Sequence, residues 1–166
     1  MGHRKALVDA FTEEDRLLRR RLAECPRGFR ERRGPDGTLS FKETLAHIAF
    51  WEDFTVNFFS CKTDKGSRNP VPPLEFEKLS REAMDEFNRL PFGEVLGRYL
   101  EAFGAMTDFI QAHWPDLTER ERHDFWTPLR HRRQHRLALF QALDRMMIEP
   151  GPQTADAIHA SFASEA

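Results

Sequence analysis

Four long stretches of this chain repeat apolar residues at three- and four-residue spacing, and no stretch alternates apolar with polar residues over the length of a strand. A face of period 3.6 is buried by a helix and scattered by a strand, so this pattern alone restricts the chain to an all-α fold. The first stretch, from about His3 to Glu24, carries Leu7, Ala10, Phe11, Leu17, Leu18 and Leu22 with charge between them, and ends near Pro26 and Gly28. The second opens on a capping box, Ser40 with Glu43, and runs to about Cys61. Leu45, Ile48, Thr55 and Phe59 make one stripe of it. His47, Trp51, Phe54 and Phe58 make the next, so it is expected to be largely buried. The third follows Pro91, which suits a first helical turn, and repeats Phe92, Val95, Leu96, Tyr99, Leu100, Phe103, Met106 and Ile110 to about Trp114. The fourth is predicted to take Thr127 as its N-cap and Pro128 in its first turn, and to stop before Pro150.

Two shorter helices fit between these. One spans about Leu74 to Asn88, after a loop at 62–73; the other follows a second capping box, Thr118 with Glu121, to about Phe125. Four long amphipathic helices without internal repeat describe a four-helix bundle. About 30 residues separate the second and third long helices, enough to cross the bundle, so simple up-down-up-down order is not required. The chain, 166 residues long, suits one domain, with residues 1–149 as the bundle and 150–166 as a tail of little expected order.

The 15 Phe against one Tyr mark the aromatics as core formers, and a net charge of −2 gives no reason to expect nucleic acid. Two cysteines cannot make a disulfide framework and suit a reducing compartment. Cys61 reads as a small buried apolar residue and Cys25, beside Arg27, as an exposed one. The first residues lack a secretory pattern and no apolar run reaches membrane length, so the expectation is a cytoplasmic protein. Arg27, Arg30, Arg32 and Arg33, closed by Gly34, Pro35, Asp36 and Gly37, read as a solvated loop, since no phosphate-cradling motif stands beside them.

The chemistry is in the histidines. His131 and His135 lie four apart, so both imidazoles sit on one helix face, continued by Ala138, Ala142 and Met146. His47 lies among Phe and Trp in the second long helix, where a lone imidazole needs a partner. HxxxH by itself also fits two core histidines. The inward register and the third histidine favour a metal site. Three His ligands from two helices leave positions open for water or substrate, and all-imidazole ligation suits Zn, Ni, Fe or Cu over Mg or Ca. Arg132 and Arg133, between the pair, should point elsewhere by helical phase. Glu52 and Asp53, on the helix of His47, are carboxylates that could orient an imidazole. His3, His113, His123 and His159 read as solvated or structural.

The segment SFKETLAHIAFWEDFTVNFF resembles the second-helix signature of the DinB/YfiT-like superfamily, where a Ser/Thr and an acidic residue open a helix holding His, an apolar residue and Trp-Glu. HRRQHRLALFQALDR resembles that family's last-helix HxxxH and Leu-rich run, and the resemblance covers roughly residues 3–148. It implies a four-helix bundle of up-down-down-up topology, often dimeric, with a divalent metal, most simply Zn or Ni, held by three His that map onto His47, His131 and His135. Trp51 and Glu52 are implied neighbours of that centre. Gln134 stands where many members place a further His. Characterised relatives include transferases that use low-molecular-weight thiols such as bacillithiol or mycothiol. The leading expectation is therefore a metal-dependent S-transferase joining such a thiol to an electrophilic small molecule, with no nucleic-acid or membrane partner. A hydrolase using water at the same metal, and a non-catalytic ligand-binding or stress-response bundle, are the competing readings.

Overall fold

The computed structural model describes residues 2–63 and 73–148, and every regular element among them is helical. In chain order these are α1 (Gly2–Glu24), a single 3-10 turn (Arg27–Phe29), α2 (Phe41–Thr63), α3 (Pro73–Arg89), α4 (Phe92–His113), α5 (Glu119–Asp124) and α6 (Trp126–Ile148). Most of the loop expected at 62–73, and the tail from 150 onward, lie outside the described residues, as does the side chain of Cys61. No described helix is long and apolar enough to cross a membrane.

Both capping boxes form. The Glu43 amide donates to Ser40 Oγ at 3.1 Å and the Ser40 amide to Glu43 Oε2 at 2.9 Å. Thr118 and Glu121 make the same reciprocal pair at the start of α5. Two expected helix starts shift. Pro91 is the N-cap of α4, one residue outside the helix, with extended backbone. Thr127 does not cap α6, because Phe125 alone separates it from α5 and Trp126 is already helical. Its hydroxyl accepts from Arg130 Nη2 at 3.1 Å instead.

The long helices α1, α2, α4 and α6 pack as a ring: α2 lies against α4 and α6, and α1 against the same two, while α3 rests on α2. Contacts give the order along three of these pairs. Glu14 meets Arg136, and Arg21 pairs with Asp144 further along both α1 and α6. Tyr99 reaches Asp15, whereas Arg4 near the start of α1 reaches Gln111 near the end of α4. Glu52 pairs with Arg132, and Phe59 stacks near Phe125 at 4.5 Å between ring centres.

Apolar side chains fill the ring in two clusters. Leu18, Phe41, Leu45, Ile48, Val95 and Leu139 belong to one; Leu7, Phe11, Met106, Ile110, Phe125 and Leu129 belong to the other. Cys25, expected in solvent, is buried in the first cluster together with Phe29 of the turn that follows α1. Burial pushes its thiol pKa up, so it is not a ready nucleophile. The arginine loop is more anchored than expected. Arg33 grips the Glu43 carboxylate and Arg145 of α6 holds Asp36, while Arg27, Arg32 and Arg33 remain exposed. Gly34 passes so close to α6 that a Cβ there would lie 3.0 Å from that of Ala142, and Gly37 turns through φ +79°.

Candidate metal centre

His47 lies two turns into α2, its position along the helix set by the Ser40–Glu43 cap, and faces the second and third turns of α6. The structure brings together the three histidines expected to ligate. His47 Nε2 is 3.1 Å from His131 Nε2, and His135 Nε2 is 3.1 Å from the same atom. The three donor atoms all lie within 4.8 Å of one another, so this cluster could hold a metal ion. With metal–nitrogen bonds of about 2.0–2.1 Å, donors sit about 2.9 Å apart in an octahedron and about 3.3 Å apart in a tetrahedron. The two contacts of His131, at 3.1 Å each, fall between these.

The donor chemistry fits a cation as well as the spacing does. Each neutral Nε2 carries either one proton or one lone pair. His131 Nε2 faces two others, and at most one of those contacts can be a good hydrogen bond. A cation accepting all three lone pairs satisfies every contact at once. Burial lowers the pKa of His47 to about 4, with His135 and then His131 adding to it, and burial with His135 does the same to His131. Burial also lowers His135. At neutral pH all three are therefore neutral and ready as ligands.

The triad sits at the margin of the core. All three rings are half-buried, and Ala138, expected to continue their inward face, is exposed, while Ala142 and Met146 are buried. The α6 stripe turns outward at this point because its core-facing side is Leu129, Arg132, Leu139 and Leu143. Beside His131 opens an apolar groove of about 560 Å³, walled by Trp51, Phe54 and Phe58 of α2 and by Thr127 and Pro128 of α6. Trp51 meets His47 and His131 edge-on, with centroids 6.3 and 5.9 Å apart.

The other expected neighbours of the centre lie elsewhere. Glu52 points into the core and takes Arg132 Nε at 2.7 Å and Nη2 at 3.0 Å. Asp53 and Gln134 are exposed. Arg132 and Arg133 do point away from the triad, Arg133 to Glu14 of α1. His113 stacks on Phe109, His3 and His123 are exposed, and His159 lies outside the described residues.

Sequence reasoning missed a buried ionic layer. Arg132, with no exposed surface, also donates Nη1 to the Tyr99 hydroxyl at 2.7 Å, and that hydroxyl donates to Asp15 Oδ1 at 2.9 Å. Arg19 Nε lies 2.8 Å from Asp15 Oδ2, an ion pair whose angle is not that of a hydrogen bond. Burial opposes the charge on Arg132, but Glu52 and Tyr99 outweigh it and its pKa is raised. The signal was present: Asp15, Glu52 and Arg132 each interrupt an apolar stripe at a core register.

No protein-family model matches the chain, and no curated protein or solved structure shows significant similarity to it.

Proposed function

We propose that the chain is a DinB/YfiT-like four-helix bundle that holds a divalent first-row metal, Zn or Ni, on His47, His131 and His135, and transfers a low-molecular-weight thiol to an apolar electrophile. The observation that carries this is the convergence of three neutral Nε2 atoms at the mouth of an aromatic-walled groove. The up-down-down-up topology is supported by the order of contacts, in which α1 and α6 advance together while α2 and α4 advance against them.

A metal held there would supply Lewis acidity that raises the thiolate fraction of a coordinating thiol at neutral pH. The chain's own residues do the rest. Trp51, Phe54 and Phe58 offer ring faces and exclude water beside His131, so a planar or aliphatic electrophile is held against the reacting sulfur. The sulfur forms the new S–C bond, the leaving group departs with its electron pair, and the thiol proton passes to solvent. Thiol transfer is supported over hydrolysis by Glu52, the buried acidic residue on the helix of His47, which is bound to Arg132 and is not available as a base for water, although the exposed Asp124 also lines the groove.

The test is metal analysis of the purified protein and of His135→Ala, followed by turnover of an alkyl or aryl halide with and without bacillithiol or mycothiol. The expectation is about one Zn or Ni per chain, absent from the variant, and turnover that needs both metal and thiol. No metal after incubation with either ion would remove the reading. Metal-dependent turnover without thiol would replace transfer by hydrolysis.

A further inference from the structure

The ionic layer lies at the level where the two apolar clusters meet, and each long helix contributes to it: Asp15 from α1, Glu52 from α2, Tyr99 from α4 and Arg132 from α6. Along α1, α2 and α6 the core reads apolar cluster, layer, apolar cluster; on α4 Tyr99 lies within the first cluster, between Val95 and Ala102, ahead of Met106 and Ile110 of the second. On α6 the layer residue follows His131 directly. On α2 it comes five positions after His47.

Resting on the metal reading, we propose that Glu52 and Arg132 are positioning residues for the metal centre: their buried bidentate pair fixes α2 against α6 in the register that brings His47 to His131 and His135. Phe and Leu stripes tolerate sliding, because one apolar side chain replaces another when a helix shifts by a turn, about 5.4 Å. A metal centre does not tolerate it, since ligand distances are held to about 0.2 Å. A planar guanidinium facing a carboxylate supplies the missing direction, with two parallel hydrogen bonds that one geometry satisfies. Its third hydrogen bond, to Tyr99, and the Tyr99 and Phe103 rings at 5.0 and 5.1 Å from its carbon, tie the same guanidinium to α4. Stability alone does not account for such a layer, because well-packed apolar residues commonly replace a buried ion pair without loss.

The experiment compares wild type, Glu52→Gln and the double variant Glu52→Leu/Arg132→Met by urea unfolding, by Zn affinity against a chromophoric chelator, and by the visible spectrum of the Co(II)-loaded protein. Glu52→Gln leaves the guanidinium without its counter-charge and is expected to lower the urea midpoint. The double variant leaves no orphaned charge, so its midpoint should return to wild type or exceed it. Its Zn Kd should nevertheless weaken about tenfold or more, the range seen when groups that orient ligands are lost, and its Co(II) spectrum should change in intensity. A double variant with wild-type Kd and spectrum overturns the inference and leaves the metal reading intact. A wild-type protein that binds neither Zn nor Co(II) overturns both. If the double variant does not fold, Glu52→Gln and Tyr99→Phe decide by the same two metal readouts, and wild-type values in both overturn the inference.

Discussion

Replacing the central histidine, His131→Ala, should leave the metal-free protein nearly unchanged and abolish its response to metal. In the metal-free state His131 Nε2 is 3.1 Å from two like atoms, and only one of these contacts can be a good hydrogen bond. The ring is half-buried, so truncating it costs roughly 1 kcal/mol of apolar contact. Removing the unsatisfied contact returns a similar amount, roughly 1 kcal/mol. The net change should lie within about 1 kcal/mol of zero. With Zn at one hundred times its Kd, wild type should gain about 2.7 kcal/mol. For a chain of this length that is a rise in Tm of about 5–11 °C, reversed by chelator. The variant should gain almost nothing. Melts followed by circular dichroism with and without Zn give all four numbers. A variant that keeps the wild-type rise shows that His131 is not a ligand. A variant destabilised by roughly 3 kcal/mol or more when metal-free shows that the triad is a packing element, and the argument from frustrated lone pairs fails.

Two further expectations concern the scaffold. Glu14, buried on α1, accepts from Arg133 Nε at 2.7 Å and Arg136 Nε at 2.5 Å. Burial pushes its carboxyl up and the two arginines pull it further down, so its pKa is lowered from the unfolded value of 4.5. A depressed carboxylate stabilises the fold above that value and less as pH falls through it. Glu14→Gln should therefore cost roughly 1–3 kcal/mol at pH 7, and its urea midpoint should converge on wild type as pH drops below 4.5; a gap that stays constant with pH would refute the assignment. Ser40→Ala removes the acceptor for the Glu43 amide and should lower stability by about 1 kcal/mol with the metal response retained, an unchanged Tm counting against the cap.

Much of this molecule was legible because helices announce themselves locally. The Ser40–Glu43 and Thr118–Glu121 boxes are three-residue signals, and both form as read. His131 and His135 share a face by arithmetic alone. Their meeting with His47 needs packing between helices 84 positions apart in the chain, which no local signal carries. The errors share a cause. Sharing a helix makes Glu52 look like a neighbour of His47, yet five positions is 500° of turn at about 100° per residue, which points them well apart. Ala138 lies seven positions after His131 and so within about 20° of it on the helix, but the buried side centres on Arg132, Leu139 and Leu143, about 100° further round, so the face that sequence spacing marks as inward is the margin of the core. The arginine near Cys25 in sequence suggests exposure, whereas the chain after α1 places it in the core cluster with Phe29.

Where the scaffold pairs its own charges explains why the proposed metal site is open. Charges close to the triad in sequence are paired elsewhere: Glu52 with Arg132, and Arg133 and Arg136 with Glu14. What remains at the groove is three neutral imidazoles, aromatic walls and the exposed carboxylate of Asp124. Neutral ligands leave the charge of a bound cation undiminished, and apolar walls weaken its screening by water. Both favour an anionic partner of low hydration cost, which describes a thiolate better than hydroxide. The scaffold thus supports the choice of thiol over water through where it has buried its own charges.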